Sequence, residues 1–151
     1  MPYTENYNID PAIAQEGQVA DTSPAVILSR TVEADIAFGR AVQKGTKEHC
    51  VVAAAAGPVV GITVRSQATG ARAATPDVYP ANDTAGILTQ GPIWVKVDST
   101  VAEGDDVTVT VATGLFGTKA VAAGVIAVPN AVFDTGAAAN GLARIRINLP
   151  Q

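Results

Sequence analysis

Pro92-Ile93-Trp94-Val95-Lys96-Val97 is the stretch that decides the fold class. In an extended chain successive side chains point to opposite faces, so Ile93, Val95 and Val97 share one face while Trp94 and Lys96 share the other. A helix would scatter the same residues around its axis. The pattern recurs on either side: Val107, Val109 and Val111 alternate with Thr108 and Thr110, and Ala143, Ile145, Ile147 and Leu149 alternate with Leu142, Arg144, Arg146 and Asn148. Three stretches of period two with one apolar face describe sheets that are dry on one side and wet on the other.

Further runs rich in β-branched residues lie at Val26 to Val32, Ala37 to Lys44, His49 to Ala54, Pro58 to Arg65, Gly86 to Gln90 and Val121 to Val128, and Gly, Pro, Asn or Asp separates nearly all of them. No ten-residue apolar pattern of helical period with caps is present. Ser66 to Ala74 comes nearest, and Gly70 interrupts it, so a short helix or turn is all that is expected there. Closely spaced short strands with turn punctuation predict an all-β fold, a compact β-sandwich or small β-barrel. Residues 1–24, with Pro2, Pro11, Gly17 and Pro24 and no sustained period, read as an extended N-terminal arm; residues 25–151 read as a single β domain.

The 151 residues suffice for one ordinary core, and 48% of them are hydrophobic but only 5% aromatic, so the core is built chiefly from Ala, Val and Ile. A net charge of −4 with scattered basic residues argues against a nucleic-acid partner, which needs clustered Lys and Arg to neutralise phosphates. The N-terminus lacks a basic region followed by an apolar run, and no stretch approaches the roughly 20 apolar residues of a membrane span. Synthesis in the cytoplasm, without membrane insertion, is the expectation.

Chemistry-bearing residues are sparse. His49 and Cys50 are the one histidine and the one cysteine; as neighbours in a predicted strand they are expected on opposite faces, unable to pair as nucleophile and base or to share a metal. Glu103-Gly104-Asp105 reads as a turn, and Gly114-Leu115-Phe116-Gly117-Thr118-Lys119 has the wrong order and spacing for a phosphate loop and also reads as a turn. Gly-Thr-Lys occurs at 45–47 and 117–119, as hairpin turns would. No catalytic residue, cofactor or metal is expected. Candidate contacts are more informative: Tyr3, Tyr7 and Ile9 sit on an arm that cannot pack on itself and gains by docking on another chain, and Trp94 either covers a second layer or anchors a partner.

Read in order, these segments bring up a family. Gly17 with Ala20-Asp21, Phe38-Gly39-Arg40-Ala41-Val42, Gly61-Ile62 after Val59-Val60, Leu88 to Val95, Val101 to Val107 and the closing Leu142 to Leu149 together resemble the structural cement, or head decoration, proteins of tailed bacteriophages, nearly end to end. The resemblance implies a protein of the capsid exterior, assembled as a homodimer or homotrimer and bound over junctions of the major capsid protein, with no catalytic residues. Two other readings of the same strands are a different β-rich virion part, such as a tail-tube or head-completion protein, and a carbohydrate-binding sandwich, the latter disfavoured by the scarcity of aromatic platforms.

Overall fold

The computed structural model describes residues 14–66 and 77–149, and every regular element within them is a strand. In chain order these are β1 (Val26–Val32), β2 (Ile36–Ala37), β3 (Ala41–Lys44), β4 (Cys50–Ala53), β5 (Val59–Thr63), β6 (Val78–Tyr79), β7 (Thr84–Lys96), β8 (Asp106–Thr110), β9 (Leu115–Gly117), β10 (Val125–Phe133) and β11 (Leu142–Asn148). The protein is all-β, as its alternation requires. The short helix or turn expected over Ser66 to Ala74 falls, beyond Ser66, outside the described residues.

Five of the strands close on themselves: β1 pairs with β4, β4 with β3, β3 with β5, β5 with β7, and β7 returns to β1. The β1–β4 contact is parallel and the others antiparallel, which makes a small barrel. From the far half of β7 the sheet continues outward as β11, β10, β8 and β9. Both architectures share one strand.

That strand, β7, runs unbroken for 13 residues where the sequence predicts two strands flanking Gly91. Gly91 has φ +127°, a conformation only glycine adopts at low cost, so the chain kinks there without ending. Thr84 to Gln90 pair with β1, and Gln90 to Lys96 pair with β11. The kink also shifts the parity of the strand. Leu88 before it and Ile93 and Val95 after it belong to one apolar cluster, although strict alternation would put Leu88 on the opposite face from the other two.

Two cores result. Val32, Val42, Val51, Ala85 and Ile87 pack with Ile36, Phe38 and Tyr79 in the first. The larger second core sets Ile62, Leu88, Ile93, Val95 and Val97 against Val107, Val109, Phe116, Phe133, Ile145 and Ile147. The alternating residues Ile93, Val95, Val97, Ile145 and Ile147 are all buried, so the stretches that fix the strand period also supply the core.

Candidate interaction surfaces

Trp94 lies on the wet face of β7, half-buried, directly across from Arg144 on β11. The same face carries Lys96 and Arg146, and Val132, at 41% exposure, pairs with Arg146 from the next strand. The Arg144 guanidinium lies 3.6 Å from Asp21 on one side and 3.4 Å from Asp134 on the other, and Asp134 also meets Arg146 at 3.3 Å. These charges hold long side chains flat around the indole. A tryptophan whose ring is half open to water amid paired charges has the composition of an interface centre. Tyr3, Tyr7 and Ile9 lie outside the described residues.

Residues 14–20 run along the far half of β7. Val19 bridges Ile93, the Gly17 and Ala20 N–H groups donate to the carbonyls of Trp94 and Pro92, and the Trp94 N–H donates to Gln18. The wet face is therefore bordered by this segment on one side and by β11 on the other.

The same segment makes a clasp to the barrel. Gly17 (φ +80°) and Gly39 (φ +68°) pack backbone to backbone, and a Cβ on either would lie 2.8 Å from the other's amide nitrogen. Both need to be glycine for conformation and for space. Around them Arg65 N–H donates to the Gly17 carbonyl at 2.7 Å, Gly39 N–H donates to Thr63, and Arg40 pairs with Glu16. Arg65 also stacks 5.1 Å over the Phe38 ring, which meets Tyr79 edge-on at 5.0 Å. Burial pushes the Tyr79 phenol above its ordinary range, and its hydroxyl donates to the Val64 carbonyl at 2.5 Å. Gly17 and Phe38-Gly39-Arg40 were each noticeable in the sequence as separate motifs. Nothing local shows that they touch.

The turns carry much of the remaining polar chemistry. Asp105 accepts from the Ala102 N–H at 2.8 Å around Gly104 (φ +89°), a turn as read. The Glu33 carboxylate accepts from the N–H of Lys47 and from the N–H and hydroxyl of Thr46, bonds that hold it below the usual carboxylate range and brace the first Gly-Thr-Lys as a β3–β4 hairpin turn. The second Gly-Thr-Lys is different: Gly117 ends β9, and Lys119 reaches the Asp98 carboxylate at 2.7 Å. The stretch 114–119 is thus half strand rather than all turn, because only Gly114 takes a positive φ.

The reading of His49 and Cys50 needs correction. His49 has φ +57° and stands in the turn before β4, not within a strand, so strict alternation does not separate the pair. Both line one cavity of about 240 Å³, together with residues from all five barrel strands. Among the described residues no group of three or more His, Cys, Asp or Glu side chains is arranged to hold a metal ion.

Strands closed into a small barrel, a sheet extending from it and a charge-bordered wet face define an all-β structural module. Comparison with known families then places it: the chain belongs to the structural cement protein family (E217 gp24/Pam3 gp6), whose model matches residues 3–148. It is a bacteriophage virion protein of the capsid-associated, structural kind. No curated protein matches its sequence. Among solved structures it is similar to a chain of the capsid of Myoviridae phage XM1, at 21% identity and a TM-score of 0.76 over 98% of each chain, which shows the shared fold. A looser likeness, 12% identical with a TM-score of 0.47 over 82% of this chain and 94% of the other, is to the N base of head fiber gp8.5 of bacteriophage phi29.

Proposed function

We propose that the protein decorates the outside of a phage head, binding as a homodimer or homotrimer across junctions of major capsid protein subunits and stabilising them without catalysis. The observation that carries the reading is the family match over nearly the whole chain, 3–148. The wet face around Trp94 gives it a physical surface: a half-open indole flanked by ion pairs, able to bury its ring against a partner. Residues 1–24 act as the arm, with Tyr3, Tyr7 and Ile9 reaching a neighbouring subunit. Single contacts of this kind are weak, and an oligomer that engages several capsomers gains avidity from the high effective concentration of its later contacts.

Mixing the purified chain with undecorated heads and sedimenting them tests the proposal. The expected result is saturable co-sedimentation and a rise in the temperature at which heads release their genome. Heads that leave the protein in the supernatant refute it.

A further inference from the structure

We infer that the mouth of the barrel is a receptor for a carboxylate carried on a short apolar stem, held by Arg30 and Lys44. The cavity of about 240 Å³ there is far larger than the ~30 Å³ share of one water, and Leu28, Val60 and Ile87 give it an apolar wall. Its polar lining is Arg30, Lys44, His49, Cys50 and Thr89, with no carboxylate among them. In a chain of net charge −4 this is a locally cationic hollow.

Arg30 is the exception among the described arginines. Arg40, Arg65, Arg144 and Arg146 each contact a carboxylate of this chain. Arg30 contacts none; its one hydrogen bond is to the carbonyl of the adjacent Ser29, at 3.1 Å, and Lys44 likewise has no carboxylate within ion-pair distance among the described residues. A half-buried guanidinium is costly to leave without a counter-charge, and the fork geometry of arginine matches a carboxylate in two parallel bonds. The apolar wall below it suits methylenes. An acidic side chain from a docking protein presents both parts, as does a free short-chain fatty acid, and both meet the same Arg30–Lys44 pair.

Cys50 lines the cavity and is the chain's single thiol, so its reactivity reports occupancy. The test measures the rate at which a neutral maleimide labels Cys50 in the full chain, with pentanoate, with 1-pentanol as the uncharged control, and with undecorated heads. Pentanoate is expected to slow labelling about fivefold or more, saturably, and 1-pentanol to leave it unchanged. Arg30→Gln with Lys44→Gln abolishes the protection, Arg30→Lys with Lys44→Arg keeps much of it, and Arg144→Gln leaves it intact.

The head arm rests on the proposed head binding. If that binding supplies the acidic side chain, heads protect Cys50 and the double glutamine variant binds them about tenfold more weakly. Heads bound equally by wild type and double variant, with pentanoate protection retained, assign the site to a free small carboxylate. Absence of protection by pentanoate and by bound heads overturns the inference, whereas heads that fail to bind even the wild type refute only the head-binding proposal.

Discussion

Three glycines separate backbone conformation from space, and replacing each with alanine should give three different costs. Gly104 has φ +89° and nothing within 4 Å of where a Cβ would sit, so Gly104→Ala carries conformational strain alone, about 1 kcal/mol. For Gly61 no positive φ applies, but a Cβ would lie 2.2 Å from Ile87 Cγ2 and 2.8 Å from the Leu88 carbonyl oxygen, so Gly61→Ala carries overpacking alone, about 1–3 kcal/mol. Gly91 combines the two. Its φ of +127° lies in territory that costs a side chain about 1–3 kcal/mol, and its Cβ would press on Ala25 Cβ at 3.0 Å and Ala25 Cα at 3.2 Å, adding about 1 kcal/mol or more. Gly91→Ala is therefore expected to cost about 3 kcal/mol, a fall in Tm of about 6–12 °C for a chain of this size. Urea denaturation of the three variants measures the series. Ala25→Gly in the Gly91→Ala background should restore the contact part and leave the strain. Gly91→Ala within about 0.5 kcal/mol of wild type, or full rescue by Ala25→Gly, would refute the assignment of Gly91 as the kink that joins barrel and sheet.

Other outcomes follow from single contacts. Partial burial pushes the Asp98 carboxyl up, but hydrogen bonds from Lys119 and Thr110 outweigh this and hold it below the usual range, so the stability it confers is full above the unfolded carboxyl pKa of about 3.9 and is lost as pH falls through the lower folded value. The difference in urea midpoint between wild type and Asp98→Asn should shrink in acid, and one that persists undiminished at low pH contradicts the bonding. Phe116→Ala is expected to cost about 3–5 kcal/mol because Phe116 is fully buried, whereas half-open Trp94→Ala costs about 1–2 kcal/mol and weakens head co-sedimentation; equal losses in the denaturation curves would put the indole in the core. Tyr79→Phe removes the bond to the Val64 carbonyl and should cost about 1–2 kcal/mol by the same measurement, with no change meaning that water takes over the carbonyl.

Where side chains alternate cleanly the sequence was enough to place the strands. Val26–Val32 is a strand with the bounds its β-branched content suggested, and the alternating faces of β7, β8 and β11 are buried on the predicted side. The reading went wrong where glycine or asparagine alters the backbone within a strand. Gly91 looked like a terminator and is a kink; Gly39, at φ +68°, looked like strand interior and splits Ala37 to Lys44 into β2 and β3. Val121 to Val128 was read as one strand ending before Pro129, yet β10 starts at Val125 and passes through Pro129 and Asn130 (φ +52°) as an irregularity in its pairing with β8. Strands of two or three residues, β6 and β9, hold too few side chains to show a period. The wet side of Trp94 was legible from its neighbours. The Gly17–Gly39 clasp and the barrel-mouth cavity were not, because each gathers residues from distant parts of the chain and exists only once the ring has closed.

Closure also sets a clock. The strand that seals the barrel against β1 arrives late: Val26 pairs with Gln90, so at about 5–20 residues per second the ribosome needs roughly 3–13 s to make the partner after β1 has been made. During that interval β1, with Val26 and Ile27 among its side chains, is an unpaired edge of the kind that templates aggregation, and in a cell packed with identical nascent chains each copy offers the same edge to the next. Slower translation lengthens the exposure, so the yield of soluble protein should fall when rare codons are placed between residues 33 and 83 and be restored when the same codons are moved beyond residue 100.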